Sequence, residues 1–364
     1  MHDQHRKGGT SDQNRLSWRH AFETGHRSRE RHCFSCSAFL MDLNQTHSHS
    51  DQELEGFSES DALENRSSAK RDFQEPFEVL EPRKQTLPFV LNSPHSGRVY
   101  PPRFLASSNL DPLTLRRSED SFVDEIFSGA VELGAPLLRA HFPRAYLDVN
   151  REPYELDPAM FTDPLPPHVN TRSVRVAGGL GTIARIVAEA TEIYKTPLPY
   201  SEAETRIRDI YMPFHETLRG LLETTHRKFG QAVLIDCHSM PSTGGPFDEE
   251  IDANRPDIVL GDRYGTSCAQ ELVESAERIL KSMGYRVTRN NPYAGGFNTE
   301  HYGAPSQGLH AIQVEINRTL YMDERKVQRR AGITRLSKDM TRLVRKLGRE
   351  MRRGAWTAFQ RKAS

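Results

Sequence analysis

The chain has 364 residues, with 49 basic and 49 acidic side chains, so its formal net charge of zero gives no argument for a nucleic-acid or membrane partner. That length supplies ample material for a core in one large or two modest domains. No apolar run reaches the roughly 18 residues of a membrane span, and the polar N-terminus lacks the apolar segment and small-residue cleavage site of a secretion signal.

Residues 1 to about 80 are rich in Ser, His, Asp, Glu, Arg and Gln, with little apolar periodicity, and read as a disordered extension in which Met41 is a candidate translation start. One Cys-x-x-Cys pair, Cys33 and Cys36 beside His32, has no second pair nearby. It reads as part of a flexible tail rather than as a zinc site. With Cys237 and Cys268 the cysteines total four, too few for a disulfide framework in a chain this long, and a reducing cytoplasm is the simplest home.

The folded domain is expected to begin near Leu87. A strand over Pro88 to Asn92 ends in "SPHSG", which sets His95 at its carboxyl end. A helical stretch follows, with Phe122, Ile126, Ala130 and Leu133 as one apolar stripe. Asp120 and Asp124, four apart, read as one face of it, either solvated or contributing one acid to a metal site beside His95.

"APLLRAHFPRAYLDVNREPYELDP" predicts two short strands, Ala135 to Ala140 and Ala145 to Val149, before a turn at "NR". Arg151, directly after a strand end, is placed to clamp a carboxylate in a bidentate pair that lysine cannot imitate, and Arg144 is a second candidate. The "GGLGTIAR" stretch lacks the βαβ context of a dinucleotide loop. Its glycines instead suit a loop that approaches an active site, from which Arg185 would reach a substrate anion.

From Ser201 to Phe229, Ile207, Ile210, Tyr211, Phe214, Leu218, Leu221 and Leu222 recur at three and four, an amphipathic helix that Pro213 should kink or divide. His215, in mid-helix, reads as structural. The next strand, Ala232 to Asp236, runs into "CHSMP" and places His238 at its end. A strand at Asp257 to Leu260 and a helix near Ala269 to Met283 lead to "YRVTRNNPYAGGFNTEHYG". This segment reads as a polar binding loop, with Asn298 and Thr299 as substrate-binding candidates.

The β-branched alternation of Ala311 to Ile316 predicts a buried strand that nevertheless carries a carboxylate, Glu315. A buried acid is costly unless it meets a cation or titrates, which marks Glu315 as a working group. Two histidines and a glutamate at strand ends are the ingredients of a metal hydrolase. The last helix, about Arg325 to Arg353, has Ile333, Leu336, Met340, Leu343, Leu347 and Met351 in one stripe that is expected to dock on the sheet. Residues 325 to 364 carry 14 Lys or Arg against 2 Asp or Glu, so the rest of the chain is correspondingly acidic.

Taken together, "SPHSGRVYP", "EDSFVDEIF", "PRAYLDVNREPYELDP", "IDCHSMP", "GDRYGTSC", "NPYAGGFNTEHYG" and "HAIQVEINRTLYMDE" resemble the N-formylglutamate amidohydrolase family over about residues 87 to 325. That resemblance implies an α/β fold of three layers, α/β/α, with a mostly parallel mixed sheet similar to the zinc carboxypeptidases and aspartoacylases. The amidohydrolase domain would span residues 81–325, and 326–364 would form the docked basic helix. His95 and His238 would hold one zinc ion, Glu315 would be the general base, and Arg151 would bind the substrate carboxylate or polarise the scissile carbonyl. The peptidases take a carboxylate ligand three residues after the first histidine, but Arg98 stands there. The third ligand must then come from elsewhere, and of the two nearby acids Asp120 is the favoured one, with Asp124 as the alternative.

The implied activity is release of formate from N-formyl-L-glutamate or a similar acidic N-acyl amino acid, with carboxylates held by Arg144, Arg151 and Arg185. A deacylase or carboxypeptidase acting on another N-acyl amino acid or small peptide is one alternative. A non-catalytic binding protein using the basic C-terminal helix is the other, disfavoured by the intact His95, His238 and Glu315.

Overall fold

In the computed structural model, which describes residues 72–187, 191–243 and 255–352, the alternating apolar segments form the centre of a seven-stranded sheet. In chain order the strands are β1 (Phe77–Leu80), β2 (Phe89–Ser93), β3 (Leu137–Ala140), β4 (Ala232–Met240), β5 (Ile258–Gly261), β6 (Val287–Arg289) and β7 (Leu309–Asn317). Their spatial order is β1-β3-β2-β4-β7-β5-β6. All neighbours are parallel except β1 with β3 and β5 with β7.

Two layers of helices cover the sheet. Phe89, Leu91, Val233, Ile235, Ile312 and Val314 point to the first. There they meet α1 (Val123–Phe127), α2 (Gly129–Glu132), α5 (Gln270–Lys281) and α7 (Gly332–Arg352). Val90, Ala232, Leu234 and Ala311 point to the second, against α3 (Tyr200–Arg206) and α4 (Met212–Phe229). A short helix, α6 (Phe297–Tyr302), precedes β7.

Strand period positions the site. Residues that alternate with the first face share the second, so Ala232 and Leu234 are followed on that face by Asp236 and His238, Ala311 by Gln313 and Glu315, and Val90 by Asn92. The second face therefore changes from apolar to polar toward the carboxyl ends of β2, β4 and β7. Strand β2 lies between β3 and β4, and the chain enters β3 from α1 and α2 in the first helical layer and β4 from α4 in the second. Such a reversal opens a crevice at the strand ends, where ligands of open α/β sheets bind.

Several expectations are corrected. Strand β1 lies inside residues 1 to 80, assigned above to a disordered extension, and pairs with β3. Residues 145–149 are turns, not a strand. Pro143 O accepts the N–H groups of Tyr146 at 2.9 Å and Leu147 at 3.2 Å, and the apolar side chains there fill the second core layer. The helix expected across 120–133 is broken, because Phe122 sits at φ 69 and residue 128 separates α1 from α2. Asp120 thus precedes α1 and does not share a helical face with Asp124.

Pro213 occupies the first turn of α4, directly after a π-helical turn over Ile207–Tyr211, where its missing N–H costs little. The presumed loop after Met283 contains β6 and α6. The last helix begins at Gly332, after a hairpin of β8 (Met322–Asp323) and β9 (Gln328–Arg329). Its stripe of Leu336, Met340, Leu343, Leu347 and Met351 is buried against the sheet, and Arg335, Lys338, Arg342, Arg345 and Arg349 are exposed. His32, Cys33, Cys36 and Met41 lie outside the described residues. Among the described residues no helix is long and apolar enough to cross a membrane.

Candidate metal centre and active site

His95 follows β2, Asp120 precedes α1, and His238 lies near the end of β4. A backbone hydrogen bond of 2.9 Å from Asp120 N to His95 O brings the first two together. Asp120 Oδ2 then lies 3.3 Å from His95 Nδ1 and 2.9 Å from His238 Nδ1. All three residues are buried, and their ligand atoms lie within 4.8 Å of one another.

The opposite edges of both imidazoles face carboxylates. His95 Nε2 donates to Asp148 Oδ1 at 2.7 Å, and His238 Nε2 donates to Asp236 Oδ2 at 2.9 Å. Burial pushes the Asp148 carboxyl upward, but His95, Arg151 and Arg144 outweigh it and hold the group well below the usual carboxylate range. An ionised Asp148 accepts only, so His95 Nε2 carries a proton and Nδ1 is the atom that faces Asp120. That buried Nδ1 has no hydrogen-bond partner among the described residues.

The Nδ1 atoms of both imidazoles therefore converge on the anionic Asp120 Oδ2, an arrangement that calls for a positive charge among them, either a proton or a metal ion. Burial disfavours a charged His238, yet Asp236 and Asp120 raise its pKa well above the ordinary histidine value. Two imidazoles and one carboxylate, each imidazole backed by a carboxylate, fit a borderline-soft divalent ion with room for a further ligand.

Asp120 is steadied from behind. Its Oδ1 accepts Arg318 Nη2 at 3.1 Å, while Arg318 Nε donates to Ser239 Oγ at 3.2 Å. Asp124 is engaged elsewhere, accepting Arg139 Nη1 at 3.1 Å, and is not in the converging group.

Glu315 stands on β7 in register with His238 on β4. Burial raises its carboxyl to about 7, with His238 opposing and Asp120 reinforcing the shift. Its Oε1 accepts Gln313 Nε2 at 2.8 Å.

Arg144 and Arg151 approach from the turn after residue 143. Arg144 Nη2 donates to Asp148 Oδ2 at 2.8 Å. Arg151 Nε donates to Leu180 O at 2.9 Å, so the glycine-rich loop does reach the site. Burial brings the Arg151 guanidinium down to about 10. Arg185 is held away from the converging group by Asp157 at 2.7 Å and Glu192 at 3.1 Å. It lines a separate surface cleft with Asp157, Thr171 and Arg172.

Asn298 and Thr299 are fully buried on α6. Asn298 Nδ2 is 3.5 Å from Asp236 Oδ1, and Thr299 Oγ1 donates to Gln313 at 3.4 Å, so both lie behind the site. His215 is structural, donating to Val149 O at 2.9 Å and accepting from Tyr302 at 2.8 Å, with burial lowering its pKa to about 3.

A family model described as N-formylglutamate amidohydrolase matches residues 87–322, more than half of the chain. The chain belongs to the N-formylglutamate amidohydrolase family. It is 30% identical over 251 residues to an N-formylglutamate deformylase of Pseudomonas aeruginosa, covering 68% of this chain and 86% of that protein. Identity to the N-formylglutamate deformylase of Pseudomonas putida is 27% over 253 residues, with the same coverage of 68% and 86%. The crystal structure of N-formylglutamate amidohydrolase from Ralstonia eutropha JMP134 superposes with a TM-score of 0.71 at 36% identity, covering 77% of this chain and 99% of that one. Membership of this family, with the α/β fold described above, makes the chain an amidohydrolase.

Sequence reasoning did not single out Asp148, Asp236, Gln313 or Arg318. Signals existed for two of them. Asp236 is two residues before His238 on one strand face, and Arg318 repeats the "NR" of Asn150 and Arg151 at the end of β7.

Proposed function

We propose that the chain is a zinc-dependent hydrolase that cleaves N-formyl-L-glutamate to formate and L-glutamate. The observation that carries this reading is the convergence of His95, Asp120 and His238 on one point beside a protonatable Glu315. Support for the substrate comes from the names of the relatives that cover most of this chain. The buried free thiols Cys237 and Cys268 suit a reducing compartment, and we place the enzyme in the cytoplasm.

His95 and His238 through Nδ1, and Asp120 through Oδ2, would hold the ion. Bound there, zinc would acidify water to a pKa near ~7 and polarise the formyl carbonyl. Glu315 takes the proton of the attacking water and delivers it to the leaving amine, so that the C–N bond breaks as a neutral amino group departs. Arg144 and Arg151 supply positive charge for the oxyanion and for the carboxylates of an acidic acyl-amino acid. Arg185, already bound to two acids, would contribute only by exchanging one of them for substrate. Asn298 and Thr299 act from behind, through Asp236 and Gln313.

A substrate panel tests the reading. N-formyl-L-glutamate should give a higher kcat/KM than N-acetyl-L-glutamate, N-formyl-L-leucine or small peptides. Preference for another acyl group or for a peptide would move the assignment to a related deacylase or carboxypeptidase.

A further inference from the structure

We propose that Gln313 is a positioning residue that aims the carboxylate of Glu315 for proton transfer, an inference that rests on the general-base reading of Glu315. Both residues lie on one face of β7, two positions apart, and both are buried.

The orientation of the Gln313 amide is decided by its neighbours. Its Oε1 accepts the backbone N–H of Gly296 at 2.8 Å and the Thr299 hydroxyl at 3.4 Å. A peptide N–H only donates, so the atom facing it is the amide oxygen. The amide nitrogen must then face Glu315 Oε1, 2.8 Å away.

Gly296 is itself pinned. A Cβ there would lie 2.5 Å from Asn150 Nδ2, so only glycine lets the backbone come this close. Asn150 Oδ1 also takes the N–H of Asn298 at 2.8 Å, fixing the same segment at a second point. The last torsion of a glutamate side chain is broad and poorly defined on its own. One Oε1 bond from a locked amide removes that freedom, and the other oxygen receives no hydrogen bond from the described residues and is left to take the proton.

Two variants separate the roles of the amide. Gln313→Glu keeps an acceptor for Gly296 but replaces the donor to Glu315 with an acid. Gln313→Met keeps the length and removes both bonds. On the best substrate of the panel, each should lower kcat roughly 10- to 100-fold, the cost of a misaimed catalytic group, with KM within about 2-fold and metal stoichiometry unchanged. The double variant Gln313→Met, Glu315→Gln should be no slower than Glu315→Gln, because Gln313 acts through Glu315.

A parental kcat in Gln313→Glu, or a defect confined to KM or metal content, would overturn the proposal. Measuring Glu315→Gln alongside keeps the two claims apart. If it is inactive while both Gln313 variants are parental, the positioning role alone fails; if it turns over normally, the general-base reading fails and takes this inference with it.

Discussion

His238 and Glu315 are register partners on the adjacent parallel strands β4 and β7, so the sheet itself sets an imidazole of the candidate metal centre beside a carboxyl that burial has raised to about 7. Strand period turns both side chains to one face, where the backbone ladder holds their spacing. Glu315→Gln keeps shape and volume but removes the carboxylate proposed as the base. We expect it to retain bound metal and lose about 100-fold or more in kcat, within the range of general-base contributions. Normal turnover by this variant, measured as formate release, would contradict the assignment.

The pH dependence has a definite sign. A general base works as the carboxylate, so the role proposed for Glu315 requires kcat/KM to rise with pH through its titration. A bound cation nearby favours the charged form and moves the titration down from the metal-free position. The acid limb of the profile should therefore lie between the ordinary value of 4.5 and about 7. A rate that falls as pH rises across that window would contradict the role.

Asp148 should matter without touching the ion. It fixes the His95 tautomer through the 2.7 Å bond to Nε2 and also binds Arg144. Replacement by Asn leaves a hydrogen-bonding group but no charge. Metal affinity should fall roughly 10- to 100-fold, the usual effect of losing such a partner, as read by competition with a chromogenic chelator. Unchanged affinity would show that the carboxylate is incidental.

The sequence reached the central strands because their apolar alternation is local, and it placed His95, His238 and Glu315 at or near the strand ends where the structure has them. It missed what depends on distant packing. Phe122 in a left-handed conformation cannot be read from an apolar stripe, yet it lifts Asp120 out of the helix and toward His95. Residues 145–149 alternate like a strand, but Pro143 closes a turn and their apolar groups serve the core. Asp148 lies within that misread segment, and its partner His95 is 53 positions away, so no spacing rule would have joined them.

The docked C-terminal helix makes a separate prediction about stability. Leu343 is buried in the first core layer, whereas Arg342 and Arg345 beside it are exposed. Leu343→Ala should cost about 2–5 kcal/mol by leaving a cavity. Arg345→Ala should change stability by less than about 0.5 kcal/mol. Thermal or denaturant unfolding of the two variants checks the contrast, and equal effects would contradict the packing.

The most direct test of the central claim is formate release from N-formyl-L-glutamate by the purified protein, measured as prepared, after chelator treatment, and after zinc is restored. The account predicts turnover that the chelator abolishes and zinc recovers, with His238→Ala inactive under all three conditions. Turnover unaffected by complete metal removal would contradict it.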